Sequence, residues 1–145
     1  MLNYINSLLA IPRGLLVTFK HLFKPAVTLR YPEVKEKLPE RYRGLHYLAR
    51  DENGDEKCVC CGLCALACPS GCIYMEPGEN QRGERYARVY EINELRCIFC
   101  GYCEEACPVG AIFLGKEYEF SNDKREKFIY TKEELLVPLP GEKKV

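Results

Sequence analysis

The chain lacks several features that would assign it to common classes of protein. No uncharged apolar run reaches the roughly 20 residues that a membrane-spanning helix needs. The first residues show neither a basic stretch before an apolar core nor an A-x-A cleavage site, so we do not expect a secretory signal. No G-x-G-x-x-G motif follows a predicted strand, and a dinucleotide site is therefore not predicted. The chain is expected to have no catalytic residue and no substrate site of its own.

Net charge is also absent, but the charges are segregated along the chain. Residues 1–50 carry nine Lys/Arg against three Asp/Glu, a net charge of +6. Residues 51–115 carry five against eleven, a net charge of −6, and residues 116–145 balance at seven each. A basic arm therefore precedes an acidic module.

Cysteine, in contrast, is abundant. Nine of the ten cysteines lie in two runs, C-V-C-C-G-L-C-A-L-A-C-P at 58–69 and C-I-F-C-G-Y-C-E-E-A-C-P at 97–108, and eight of the nine follow one shared spacing. The shared spacing C-x2-C-x2-C-x3-C-P is typical of a loop that wraps a [4Fe–4S] cluster. Crowding on one short loop disfavours structural disulfides, and zinc sites usually separate two ligand pairs by a longer loop. The sequence thus predicts two [4Fe–4S] clusters, electron transfer and a reducing, cytoplasmic-side compartment.

Each run is expected to supply ligands to both clusters. In two-cluster ferredoxins the fourth cysteine of one run ligates the other cluster. The predicted ligands of cluster 1 are Cys58, Cys61, Cys64 and Cys107. The predicted ligands of cluster 2 are Cys97, Cys100, Cys103 and Cys68. Gly62 and Gly101, which have no Cβ, would let the backbone approach the sulfurs.

The two runs belong to a longer internal repeat. At an offset of 39, residues 58–76 match 97–115 at nine of nineteen positions. Each copy contains a cluster loop, a predicted helical turn and an apolar stretch, 72–75 or 111–114, that favours a strand. The predicted fold is α+β: a bacterial 2[4Fe-4S] ferredoxin-like pseudo-two-fold module, with an N-terminal amphipathic helical arm and a C-terminal extension. The predicted domains are 1–50 for the arm and a wrapping segment, 51–115 for the ferredoxin-like domain, and 116–145 for the extension.

Five other residues near the motifs could affect the metal sites. Cys60 lies opposite Phe99 in the repeat, and Cys72 lies opposite Ala111. Because the second copy has no cysteine at these places, we expect buried packing rather than ligation. For His46 a surface or structural role is predicted, because no cysteine or second histidine is nearby in sequence. Glu104 and Glu105 are expected to be solvated helix residues beside cluster 2, with little effect on its potential.

The segments outside the repeat also carry patterns. Apolar residues in 1–24 recur at helical spacing with basic but no acidic residues, which favours docking on a membrane surface or on a partner subunit. Pro12 and Gly14 predict either a break or a kink in this helix. Residues 33–57 are predicted to be irregular, residues 77–84 an exposed turn, and residues 85–92 a strand. Thr131 and Glu134 fit a capping box before a short helix, and the C-terminal extension is expected to pack on other subunits.

These stretches together resemble one family. The sequences R-C-I-F-C-G-Y-C-E-E-A-C-P-V-G-A-I, E-R-Y-A-R-V-Y-E-I-N and F-I-Y-T-K-E-E-L-L, with Y-P-E and R-Y-R-G-L-H in the arm, are similar to the ferredoxin-like subunit I of NADH–quinone oxidoreductase (respiratory complex I). The resemblance implies a subunit that relays single electrons through two [4Fe-4S] clusters toward quinone. It also implies partners among the other subunits of the peripheral arm and the membrane-domain junction, contact with the membrane surface through residues 1–24, and a peripheral place on the cytoplasmic face of the membrane. It implies no nucleic acid and no directly bound small-molecule substrate.

Three alternatives stay open at this point. The cysteine motifs are equally compatible with a subunit of a related membrane-bound hydrogenase. A freely diffusing ferredoxin is disfavoured by the basic arm and by the C-terminal extension. A purely structural iron–sulfur or zinc protein is disfavoured because paired clusters are suited to electron transfer.

Overall fold

The computed structural model describes residues 2–138, with side chains from residue 7 onward. The chain forms two compact units, Met1–Lys37 and Leu38–Val145. The second unit therefore groups residues 38–50 and the C-terminal extension with the cysteine-rich module. This grouping differs from the predicted boundaries at residues 50 and 115, because short strands from both flanking segments pair with strands of the module.

The first unit contains one helix, α1 (Leu2–Leu22). The helix continues through Pro12, where either a break or a kink was predicted, and it ends before Pro25. A proline inside a helix costs on the order of 3 kcal/mol, which the neighbouring helix-forming residues can offset over 21 residues. Large apolar side chains of α1 are exposed, including Ile11, Leu15, Phe19 and Leu22. No helix among residues 2–138 is both long and apolar enough to cross a membrane.

The second unit contains the remaining helices and strands. In chain order these are β1 (His46–Leu48), α2 (Leu63–Ala67), β2 (Ile73–Glu79), β3 (Arg85–Asn93), α3 (Tyr102–Glu105), β4 (Ile112–Leu114), a 3-10 helix (Arg125–Phe128), β5 (Ile129–Thr131) and α4 (Lys132–Leu135). Helices and strands mix within one unit, as predicted.

A two-stranded sheet joins the arm segment to the second cysteine run. β1 pairs antiparallel with β4, with Tyr47 opposite Phe113 and their rings stacked at 5.6 Å between centroids. The prediction that residues 33–57 are irregular was wrong at β1. Three residues are too few for a period-2 pattern, and β1 is stabilised by a partner about 65 residues away in sequence.

A three-stranded antiparallel sheet has the order β2-β3-β5. The first predicted turn, 77–84, is a turn only from Asn80 onward, because β2 continues through Pro77 to Glu79. A β-bulge at Glu76/Pro77 shifts the register, so the buried residues of β3 are Ala87, Tyr90 and Ile92 rather than a strict alternation. The bulge thereby turns the Tyr90 side chain toward the interior.

The described part of the C-terminal extension packs on its own unit. The predicted capping box is confirmed, since the Glu134 carboxylate accepts hydrogen bonds from the Thr131 N–H at 2.8 Å and from its hydroxyl at 3.0 Å. Leu135 is fully buried in the core, and Val137 N–H donates to the Leu48 carbonyl. Residues 129–137 therefore pack on the second unit of their own chain, and the packing of the extension on other subunits stays a prediction. Residues 139–145 lie outside the described residues.

Candidate metal centres

The two cysteine loops adopt the same local conformation. Cys60 and Phe99, which the repeat aligns, both have positive φ, at 50° and 52°. Gly62 and Gly101 follow with φ of 81° and 84°, and each immediately precedes a helix, α2 or α3. A left-handed backbone favours glycine, and here it reverses the chain so that successive cysteines face one side of the loop.

The eight motif cysteines line two separate cavities. One cavity, with about 320 Å³ of space free of protein atoms, has Cys58, Cys61, Cys64 and Cys107 in its wall. The other, with about 280 Å³, has Cys68, Cys97, Cys100 and Cys103 in its wall. We call them cavity 1 and cavity 2. Each contains three cysteines of one run and the fourth cysteine of the other run.

Backbone N–H groups point at several of these sulfurs. Phe99 N–H donates to Cys97 Sγ at 3.3 Å, and Ala111 N–H donates to Cys107 Sγ at 3.2 Å. Cys72 N–H donates to Cys68 Sγ at 3.5 Å. Such bonds stabilise negative charge on sulfur, as a thiolate bound to iron requires.

Burial favours the neutral thiol in most of these positions. It raises the pKa of Cys58 to about 11 and the pKa of both Cys97 and Cys103 to about 12. Burial also raises the pKa of Cys68, but hydrogen bonds with Ser70 and Cys72 outweigh it and lower that pKa to about 7. A bound iron centre must displace the protons of the raised thiols, so cluster binding and proton release are coupled.

Cavity 1 includes a tyrosine that bonds to a predicted ligand. The Tyr90 hydroxyl lies 3.3 Å from Cys64 Sγ, and its residue is only 1% exposed. Burial is the main cause that raises the pKa of Tyr90 far above its ordinary value, followed by the charges of nearby cysteines. The hydroxyl therefore keeps its proton. The sequence predicts a strand that includes Tyr90, but it predicts no contact of Tyr90 with the metal site.

Cavity 2 includes a histidine–glutamate pair. His46 and Glu94 are each 3% exposed, and Nδ1 of His46 lies 2.9 Å from Oε1 of Glu94. The other ring nitrogen, Nε2, lies 3.9 Å from Cys97 Sγ, and the imidazole stacks on Phe99. The predicted structural role of His46 agrees with this burial. Its contact with Cys97 was missed, because β1 brings it to the site from 51 residues away.

The two spare cysteines are both buried, as predicted. Cys60 occupies the left-handed position of the first loop and is absent from the walls of both cavities. Cys72 is different, since it lies in the wall of cavity 2 with its Sγ 3.4 Å from Cys68 Sγ. Cys72 therefore does more than fill space in the core, because its thiol lies beside a motif cysteine in the wall of cavity 2.

The acidic pair of α3 is not uniformly solvated. Glu105 is exposed and lies 3.4 Å from the Arg43 guanidinium. Glu104 is half-buried, and its carboxylate accepts a hydrogen bond from the Leu114 N–H at 3.0 Å. The expectation of a solvated side chain was therefore wrong for Glu104, which ties α3 to β4.

The donor set fits [4Fe–4S] clusters. Each cavity has four motif thiols, cavity 2 has Cys72 as a fifth, and backbone N–H donors lie nearby. Neither cavity has the histidine pairs or carboxylate clusters that harder metal ions prefer. The only described group of mixed ligand type is His46, Glu94 and Cys97, in which Nδ1 of His46 and the Glu94 carboxyl group already contact each other at 2.9 Å. Among residues 2–138 the motif thiols are thus the candidate ligands for such clusters.

Comparison with known proteins agrees with this chemistry. Residues 57–111 match the 4Fe-4S dicluster domain family. NADH-quinone oxidoreductase subunit I of Protochlamydia amoebophila (strain UWE25) is 54% identical over 148 residues, which cover 98% of this chain and 94% of that protein. The chain belongs to the NADH-quinone oxidoreductase subunit I family. The predicted membership is confirmed, together with the two [4Fe-4S] clusters and the electron-transfer role that a dicluster domain implies.

Other members of the subunit I family match over different lengths. Subunit I of Pseudomonas savastanoi pv. phaseolicola (strain 1448A / Race 6) is 48% identical over 129 residues, covering 89% of this chain and 71% of that protein. Subunit I 1 of Solibacter usitatus (strain Ellin6076) is 52% identical over 84 residues, covering 55% of this chain and only 50% of that protein. Among solved structures, a chain of the membrane-bound sulfane sulfur reductase, an archaeal respiratory membrane complex, matches with a TM-score of 0.54 and 30% identity, covering 76% of this chain and 55% of that chain.

Proposed function

We propose that the chain relays single electrons through two [4Fe-4S] clusters in a membrane-bound NADH–quinone oxidoreductase, toward the quinone-reducing end. The observation that carries this proposal is the pair of four-cysteine cavities within one small unit. A single cluster would suffice for a structural staple, whereas two adjacent centres provide a path. The chain has a relay role and binds no small-molecule substrate directly.

The proposed ligands of cluster 1 are Cys58, Cys61, Cys64 and Cys107, and those of cluster 2 are Cys97, Cys100, Cys103 and Cys68. We also propose that a pseudo-two-fold axis relates the two loops within residues 51–115. The matched φ values of the two loops support this relation, as do Gly71 and Gly110, which both have φ of 55°. Residues 1–50 and 116–145 would then be additions to a ferredoxin-like core.

The protein's own residues hold and insulate the two centres. When bound, each cluster accepts and releases one electron at a potential that its surroundings set. Cys64 and Cys103 are the most buried of the proposed ligands, and each lies in the first turn of its helix. The charge of Cys64 contributes to the raised pKa of Cys103, so these two sulfurs lie close enough to interact across the space between the cavities. The inner ligands thus form the proposed route between the two clusters.

The proposed setting is the cytoplasmic face of the membrane, as a peripheral subunit. Its partners would be the other subunits of the peripheral arm and of the membrane-domain junction. Within Met1–Lys37, α1 presents exposed apolar side chains and carries Arg13 and Lys20 without any acidic residue. An apolar face with cationic edges favours an anionic leaflet, at about 1 kcal/mol for each cation near the surface. We therefore propose that residues 1–24 dock on the membrane surface.

The docking proposal is tested by placing charge on the apolar face. Leu15 and Phe19 are one helical turn apart, and both are more than half exposed. The double variant Leu15→Asp/Phe19→Asp should move the chain from the membrane fraction to the soluble fraction at moderate salt. Asn53→Asp/Gln81→Asp adds the same charge at exposed positions and should leave the distribution unchanged. Retention of the first variant on membranes at the control level would refute lipid docking.

Purification of the assembled complex tests the main proposal. Membranes are solubilised gently, the full chain is recovered through a tag, and the co-purifying proteins are identified together with NADH–quinone activity and iron–sulfur content. We expect NADH–quinone oxidoreductase subunits and two clusters for each copy of the chain. Hydrogenase or sulfur-reductase partners would replace the proposal with a related complex, and a lone soluble protein would overturn it.

A further inference from the structure

Two polar side chains touch the cysteine sites from outside the repeated loops. Tyr90 belongs to β3 and contacts Cys64 of cavity 1, and His46 belongs to β1 and contacts Cys97 of cavity 2. The repeat by itself gives both clusters the same set of ligands. A difference between the clusters must therefore come from groups such as these.

The Tyr90 contact has a defined direction once Cys64 is bound to iron. A ligating cysteine is a thiolate without a proton, so the phenol must be the donor. The side chain is almost completely buried, and its position is fixed by the pairing of β2 with β3. Loss of this hydroxyl leaves the ring in place and removes one O–H···S bond.

The His46 contact is directed by Glu94. With Nδ1 bonded to the carboxyl group, Nε2 faces Cys97 Sγ at 3.9 Å. A bare Nε2 lone pair would repel a thiolate, whereas an Nε2–H would donate to it. A hydrogen bond to the sulfur therefore needs hydrogen on Nε2, and a second hydrogen lies in the 2.9 Å contact between Nδ1 and the Glu94 carboxyl group. The buried pair keeps the ring in that orientation.

We infer that Tyr90 and His46 are positioning residues that set the potentials of the two clusters separately, each by donating a hydrogen bond to one ligand sulfur. A donor at sulfur stabilises the reduced cluster, because the added electron increases the negative charge on the ligands. Removal of a donor should therefore lower the midpoint potential of its own cluster. This inference rests on the proposed ligand assignment.

The test is an EPR-monitored redox titration of the full chain within its isolated complex. Tyr90→Phe removes the hydroxyl and retains the ring. For His46, the double variant His46→Phe/Glu94→Gln is compared with Glu94→Gln alone, so that no buried carboxylate is left without its partner. Iron and sulfide content are measured for every variant, to verify that both clusters are present.

We expect each donor deletion to lower the potential of a different EPR signal. The reduction equilibrium of the affected cluster should change several-fold, where a tenfold change corresponds to about 59 mV for one electron. The other signal should move much less and serves as the internal control. No shift in fully loaded variants, or equal shifts of both signals, would overturn the inference, whereas a wild-type complex without two clusters would overturn the proposed function instead.

Discussion

At the scale of single residues, neighbouring cysteines of one motif have different tasks. Cys60 adjoins Cys61, but it is buried outside both cavities in a left-handed backbone position that Phe99 occupies in the other loop. Cys60→Ser should therefore retain both clusters. Cys107→Ser should lose most of cluster 1, because it removes one of the four sulfurs of cavity 1. Iron counting and low-temperature EPR measure both results.

One experimental result would contradict the prediction for Cys60→Ser. Iron loss from Cys60→Ser equal to the loss from Cys107→Ser would show that the ligand set is wrong. A stable Cys60→Ser variant with two EPR signals would agree with a packing role. The comparison is matched, since both variants exchange the same thiol for the same hydroxyl.

The fourth cysteine of the first run, Cys68, has a second thiol beside it, whereas the fourth cysteine of the second run, Cys107, has none at the equivalent position. The Sγ of Cys72 lies 3.4 Å from Cys68 Sγ, whereas the repeat places Ala111 at the equivalent position beside Cys107. We predict that Cys68→Ala retains a larger fraction of cluster 2 than Cys107→Ala retains of cluster 1, because a second thiol can reach the vacated position. The EPR signal of the affected cluster, measured per copy of the chain and divided by the wild-type value, gives the comparison.

The double variant Cys68→Ala/Cys72→Ala is the control, because it removes both Cys68 and the thiol that could ligate the cluster in its place. It should lose cluster 2 to the extent that Cys107→Ala loses cluster 1. Equal cluster loss in Cys68→Ala and in the double variant would contradict the prediction, and Cys72 would then have only a packing role.

At the scale of helices and strands, local sequence patterns predicted the elements that are stabilised by interactions between residues close in sequence. The capping box at Thr131 and the strand β3 follow from short-range signals, and both are present. β1 was missed, because a three-residue strand has no periodicity and its partner, β4, is far away in sequence. The sequence also did not decide whether α1 continues through Pro12, since helix propensity alone does not distinguish a kinked helix from two short helices.

The features of the candidate site also divide into those that local sequence predicts and those that depend on contacts distant in sequence. Cysteine spacing predicted the three sulfurs that each run places in one cavity, because metal ligands on one loop are constrained by that loop. The fourth sulfur, which comes from the other run, was predicted from the pattern of two-cluster ferredoxins. The contacts of Tyr90 and His46 depend on strand register, and the bulge at Glu76/Pro77 sets the register for Tyr90. A polar residue on the buried face of a predicted strand was the available signal for Tyr90. His46 gave no such signal before its pairing was known.

The C-terminal extension provides a test at this scale. Leu135 on α4 is fully buried, whereas Leu66 on α2 is 84% exposed. Leu135→Ala should destabilise the second unit by about 2–5 kcal/mol, as for other buried leucines. Leu66→Ala should change stability by at most about 0.5 kcal/mol. A denaturant titration, monitored by the loss of cluster absorbance, compares the stabilities of the two variants. Equal denaturant midpoints for the two variants would show that the extension does not stabilise this unit.

At the scale of the whole molecule, the described core consists to a large extent of the metal site. Four of the eleven buried apolar residues are cysteines, and only five large side chains are fully buried: Tyr90, Leu48, Ile92, Ile112 and Leu135. Four further cysteines pack against this core from the cavity walls. A unit of this size usually needs staples in addition to its apolar contacts. The clusters are therefore expected to be part of the fold as well as of the electron path.

Removal of the clusters should unfold the second unit. Anaerobic extraction with an oxidant and a chelator would remove the metal–sulfur bonds that join the two cysteine runs. It would leave two unfilled sites lined by eight thiols, seven of which are buried or half-buried. Cluster absorbance and the hydrogen-exchange protection of β2, β3 and β4 should then fall together. The same chelator without oxidant is the control and should change neither signal. Persistent protection of these strands after complete iron loss would show that the apolar contacts suffice, and the clusters would then serve electron transfer alone.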